Sequence, residues 1–220
     1  MTRRLVATLV VSLALGACKD PAIPDRSGAY AFADTAIIGV DTSVTLFRWP
    51  TTRMPIRFWP DPRGSMRFLV ERAVAVWQDQ FLYGELRGVV VSDSTAADVL
   101  VQWADSVPPD VPPDTTPRPN ACGGVTTFDY DSTGFALAGP VHVSLTVLTG
   151  GSPATPAQVQ ACMRRLTIHE LGHSLGLLRH SAFDEDIMYG APIVNYPSRF
   201  DRRSVEVLYH SQPTVQPPPP

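Results

Sequence analysis

Between positions 169 and 180 the chain carries four side chains able to hold and use a metal ion: His169, Glu170, His173 and His180. Two histidines four apart project from the same side of a helix, so both imidazoles can reach one ion while Glu170 stands beside them. Gly176 follows His173 by three residues and is a natural helix stop that lets the chain turn back. His180 is the ligand available beyond it. Neutral imidazole suits zinc, and three protein ligands leave a fourth position open for water. The chemistry of such a set is attack by an activated water, with Glu170 as general base. The competing reading is a patch of solvated surface histidines. Three of the five histidines of the chain lie in this short stretch, and that reading gives no reason for the glycine.

The element that must carry these residues is marked at both ends. Thr155 caps a helix, Pro156 takes its first position and Gln158 completes a capping box. Val159, Cys162, Leu166 and then His169 or Glu170 follow one face. An earlier amphipathic helix is set by Met66, Val70, Ala73, Trp77 and Phe81. Strand patterns fall at 54–59, 89–91, Val99–Trp103, 124–130 and Val141–Val147, with turn chemistry at 131–134. Strands interleaved with helices predict an α/β or α+β sandwich.

The run His169-Glu170-Leu171-Gly172-His173-Ser174-Leu175-Gly176-Leu177-Leu178-Arg179-His180-Ser181 resembles the zinc signature of the metzincins, and among them the matrixins. Asp186-Ile187-Met188-Tyr189 resembles their Met-turn, and the segment 198–209, with Ser198 as cap and Asp201 three residues on, is similar to their C-terminal helix. The resemblance implies a zincin-like fold: a twisted, mostly parallel five-stranded sheet with an antiparallel edge strand, packed on the active-site helix, and a small C-terminal subdomain with one helix. It implies one catalytic zinc on His169, His173 and His180, Glu170 as base, and Met188 as an apolar floor beneath the metal. An extended protein or peptide substrate would lie along the 124–130 strand, with 190–197 walling the pocket.

Two departures stand out. The family places its third histidine where this chain has Arg179, whose guanidinium cannot bind zinc, so His180 is kept as ligand. The pro-segment cysteine and the extra metal sites of the animal enzymes are not visible; His142 reads as a strand residue, and Asp129 with Asp131 is a calcium candidate set against a plain turn. Another zincin arrangement would take a downstream glutamate such as Glu206 as third ligand.

The chain has 220 residues, 44% hydrophobic and 18% charged, which fits one folded domain with appendages. A net charge of -3 provides no basic field for nucleic acid. Arg3, Arg4 and the apolar run 5–15 read as a signal peptide over 1–17. Leu15-Gly16-Ala17-Cys18 resembles a bacterial lipobox, which implies lipid on Cys18 and a membrane-anchored cell-envelope protein. The remaining cysteines, Cys122 and Cys162, are then free to pair in an oxidising compartment, or to stay a loop thiol and a core residue. Residues 18–42 read as a tether, 43–210 as a metallopeptidase domain, and 211–220 as a proline-rich tail. The expected state is a monomer. A lipid-anchored, zinc-containing binding protein without turnover is the alternative function.

Overall fold

The computed structural model describes residues 28–38, 41–104, 122–131, 133–148 and 155–217. The signal segment, Cys18 and the proline-rich stretch 108–119 lie outside the described residues.

Two short strands, β1 (Asp34–Ile38) and β2 (Asp41–Thr45), pair antiparallel near the start. The main sheet follows with β3 (Ile56–Pro60), β4 (Gly88–Val90), β5 (Val99–Trp103), β6 (Cys122–Thr127) and β7 (Val141–Val147). Its order is β4-β3-β5-β7-β6. The first four of these are mutually parallel, and β6 runs antiparallel to β7 at the edge. The fold is therefore mixed α/β, with three α-helices among the described residues: α1 (Met66–Gln78), α2 (Pro156–Ser174) and α3 (Arg199–Tyr209).

Burial follows the sequence pattern. Ile56 and Phe58 of β3, Val99 and Val101 of β5, and Val141, Val143 and Leu145 of β7 alternate into the core. Met66, Val70, Ala73 and Trp77 form the buried stripe of α1, and Phe81 closes it just past the helix. α1 lies on β3, β4 and β5, α2 lies on β6 and β7, and the two helices touch each other. The indole N–H of Trp77 reaches the Ile168 carbonyl at 2.7 Å and that of Trp49 the Ser174 carbonyl at 2.9 Å. Both bonds are buried, so α2 is braced from two sides where a loose indole would leave an unpaired donor.

Residues 28–38 of the predicted tether and 211–217 of the predicted tail are integrated with the fold. From Gly28 onward the N-terminal segment runs over the fold: Tyr30 and Phe32 pack against the core, and the Leu178 amide donates to the Phe32 carbonyl at 2.9 Å. At the other end Val215 is buried and bridges Phe47, while Thr214 donates its amide to Leu46. Both segments look unstructured in sequence because their partners are remote. The strand read at 124–130 is shorter, ending at Thr127, and Tyr130 makes only an isolated bridge to Leu137. Past Thr127 the chain pairs with its own return instead: the Asp129 carbonyl accepts the Ala138 amide at 2.7 Å and the Asp131 amide donates to the Ala136 carbonyl at 2.8 Å, while the Asp131 side chain accepts the Thr133 amide and hydroxyl in the turn between.

Candidate metal centre

Local chemistry builds the helix that carries the site. The Thr155 hydroxyl accepts from the Gln158 amide and the Gln158 side chain accepts from the Thr155 amide, with Pro156 in the first turn. Its exit is a Schellman motif: the Gly176 amide donates to His173 at 2.8 Å and the Leu177 amide to Gly172 at 3.1 Å. Gly176 has φ +107°, and a Cβ there would run into the Phe47 carbonyl. The chain therefore reverses tightly and brings His180 back beside the last turns of α2.

His169, His173 and His180 converge, each offering a ring nitrogen within 4.8 Å of the other two. The ring centroids lie 4.7 Å apart for His169–His173 and 5.1 Å for each pair with His180. Backbone partners fix the tautomers of the helix pair. His169 Nδ1 is 2.8 Å from the Ile187 carbonyl, and His173 Nδ1 is 2.6 Å from the Leu177 carbonyl. A carbonyl can only accept, so both Nδ1 atoms carry the proton and both Nε2 atoms present bare lone pairs. These Nε2 atoms face each other at 3.1 Å. Two lone pairs at that distance repel unless a cation lies between them, and two nitrogens of a tetrahedral zinc site are about 3.3 Å apart. The donor set thus fits a zinc ion.

The electrostatics agree. Burial, reinforced by the neighbouring rings of His173 and His180, holds His169 well below the ordinary imidazole range. Burial, helped by His180, lowers His173 to about 4, and burial lowers His180. All three are neutral near pH 7, the form that binds metal.

Glu170 is buried against β6. Its Oε2 accepts the Thr126 hydroxyl at 2.8 Å, and Oε1 occupies the space in front of Gly124, 2.8 Å from where a Cβ would sit. Burial pushes its carboxyl up to about 7, against the opposing hydrogen bond from Thr126.

Beneath α2 lies the tight turn at Asp186–Tyr189, closed by the Tyr189 amide on the Asp186 carbonyl. Met188 is fully buried against Gly172, whose missing side chain leaves the room that the Met188 sulfur and the Trp77 ring fill. Two buried carboxylates hold this turn. Asp201 of α3 accepts the Ile187 amide at 2.8 Å, the Met188 amide at 3.3 Å and the Ser198 amide at 2.7 Å, and also the Tyr30 hydroxyl at 2.9 Å. Asp186 accepts the hydroxyls of Ser181 and Ser198. Ile187 in turn offers its carbonyl to His169, so α3 orients a histidine through one peptide unit.

The histidines and Glu170 open into a cleft of about 460 Å³ bordered by Gly123, Gly124, Thr126, Phe128, Ala191 and Pro192. Cys122 and Cys162 are joined by a disulfide that ties β6 to α2 at one end of the cleft. The other candidates lie elsewhere. Among the described residues the three histidines are the one cluster of His, Cys, Asp or Glu able to hold an ion. Glu206 is paired with Arg203 at 2.8 Å, which removes it as a third ligand. His142 is a β7 strand residue, and Asp131 is used by its turn, so the calcium candidate has no support.

Sequence reasoning did not single out Thr126, named Gly124, Gly172 and Asp186 only as members of a strand, the histidine run and the turn, and read Asp201 only as part of a cap. The glycine pair within a strand was the available signal for a close approach at β6. No family model matches the chain, and no curated protein matches it either.

Proposed function

We propose that this chain is a zinc-dependent endopeptidase of the metzincin kind, matrixin-like, acting as a monomer on proteins outside the cytoplasm and held to the bacterial cell envelope through lipid on Cys18. The observation that carries the reading is the convergence of two tautomerically fixed, bare Nε2 atoms with His180 and a buried glutamate in a cleft beside an open sheet edge.

His169, His173 and His180 would hold the ion. Bound zinc supplies a Lewis acid that acidifies a water molecule and polarises a carbonyl. Glu170, beside the histidines and buried against β6, would take the proton of the attacking water and return it to the leaving amine. Among the described residues β6 pairs only with β7, which leaves its outer edge as the place for an extended peptide to hydrogen-bond. Gly190, Ala191 and Pro192 border the cleft, and further along the same segment Tyr196 accepts from the Arg72 guanidinium at 2.9 Å, which also lies over its ring. No helix among the described residues is long and apolar enough to cross a membrane, which is compatible with attachment by lipid alone.

The test is metal analysis of purified protein together with casein or peptide-library cleavage. Cleavage abolished by a chelator and restored by zinc supports the reading. Zinc uptake with no cleavage would leave the alternative, a zinc-holding binding protein without turnover, and absence of zinc uptake would remove the metal site.

A further inference from the structure

The strand facing α2 treats the two oxygens of Glu170 differently. Cys122, Gly124 and Thr126 are alternate residues of β6 and share its helix-facing side: Cys122 is bonded to Cys162, and the other two meet Glu170. Thr126 Oγ is 2.8 Å from Oε2 and 3.0 Å from the Glu170 backbone carbonyl. One hydroxyl proton is thus shared between the side chain and the main chain of the same residue, which fixes both ends of the glutamate against the strand. Oε1 lies at Gly124, and among the described residues it receives no hydrogen bond. It could not stand there beneath any other residue, because a Cβ at 124 would be 2.8 Å from Oε1, 2.9 Å from Cγ and 3.0 Å from Cδ.

We propose that Thr126 is a positioning residue for Glu170: its hydroxyl ties down Oε2, and the side-chain-free strand at Gly124 leaves Oε1 as the oxygen able to exchange a proton. The inference rests on the reading of Glu170 as general base. Thr126 touches neither the histidines nor substrate in this role; it acts by limiting the carboxylate to one rotamer, so it affects the rate of the proton-transfer step and neither metal uptake nor substrate affinity. The bond also supplies a donor to an otherwise poorly solvated carboxylate, which makes it of the stronger, charge-assisted kind.

The experiment compares wild type with Thr126→Val, which keeps the shape and deletes the donor, and Thr126→Ser, which restores the donor on a smaller side chain. Zinc stoichiometry and steady-state peptide hydrolysis are measured for each zinc-loaded protein. A hydrogen bond to a charged group corresponds to a roughly ten- to hundredfold loss. The expected result for Thr126→Val is that loss in kcat, with KM within about twofold and full zinc content, and Thr126→Ser recovers most of the rate. Should the valine variant fail to fold, Gly124→Ala decides: its new methyl displaces the flexible end of Glu170, and kcat falls with zinc retained. An active wild type whose valine or alanine variant keeps full kcat overturns the positioning role and leaves the general base in place. A zinc-loaded wild type with no hydrolysis overturns both.

Discussion

On the proposed reading, a single carboxyl separates a centre that turns over substrate from one that only holds metal. Glu170 coordinates nothing in the histidine cluster, so Glu170→Ala should keep zinc at wild-type stoichiometry and lower kcat by about 10²- to 10⁴-fold, the range of a positioned general base. Peptide hydrolysis with parallel metal analysis checks it. His180→Ala should behave in the opposite way, releasing zinc to a competing chelator far more readily, because two imidazoles without the third leave the ion half-held. The convergence of the two helix histidines was legible from spacing, since a helix of known period turns sequence distance directly into spatial distance, whereas Met188 was read from the resemblance of its turn to a known one. Thr126 was legible in neither way: it lies 44 residues before Glu170, on a strand whose register against α2 no local rule specifies. The two amides that Asp201 accepts from the turn beneath the histidine cluster were hidden for the same reason.

The critical element is the exit of α2. The reversal that returns His180 to the site passes through one residue with φ +107° whose missing Cβ lets the Phe47 carbonyl approach, and the bonds of Leu178 to Phe32 and Ser181 to Met188 hold the returning segment. Gly176→Ala combines backbone strain with that collision, and the cost should exceed about 1–2 kcal/mol. Urea unfolding of the metal-free protein measures it, and a variant as stable as wild type would show that the turn relaxes freely. The start of α2 is equally local in origin: threonine, proline and glutamine at fixed offsets announced it, and the observed capping box is built from those residues. α3 was foreshadowed in the same way by Ser198 and Asp201. What could not be read was its second task. Asp201 closes the cap and simultaneously holds Ile187, Met188 and Tyr30, contacts 13 to 171 residues away in sequence.

At the scale of the whole molecule, two long-range ties dominate. The Cys122–Cys162 disulfide spans 40 residues and joins the edge strand to the helix that carries His169 and His173. Replacing both cysteines by alanine should lower stability by about 3–4 kcal/mol on the chain-entropy model, and a urea midpoint unchanged under reducing conditions would contradict it. The second tie is Asp98, buried before β5, which accepts from Arg53 at 2.8 Å and from the Arg57 backbone and guanidinium at 2.8–3.0 Å. Burial alone would raise its pKa, but the Arg57 hydrogen bonds and the two guanidinium charges prevail and hold it below the usual carboxylate value. A carboxyl depressed in the folded state contributes its full stabilisation above the unfolded pKa of about 4, and loses it as pH falls further. Asp98→Asn should therefore cost about 1–3 kcal/mol at pH 7, and the difference from wild type should shrink below about pH 4. Thermal unfolding across that range would show it.

The two indoles that brace α2 have a practical consequence. Of four tryptophans, Trp49 and Trp77 are bonded to the carbonyls of Ser174 and Ile168, on either side of the ligand pair, while Trp59 and Trp103 bond to Ser92 and Arg63. Half of the intrinsic fluorophores are thus built into the turns that would grip the ion, and emission from an unlabelled sample becomes an optical gauge of whether that grip is formed.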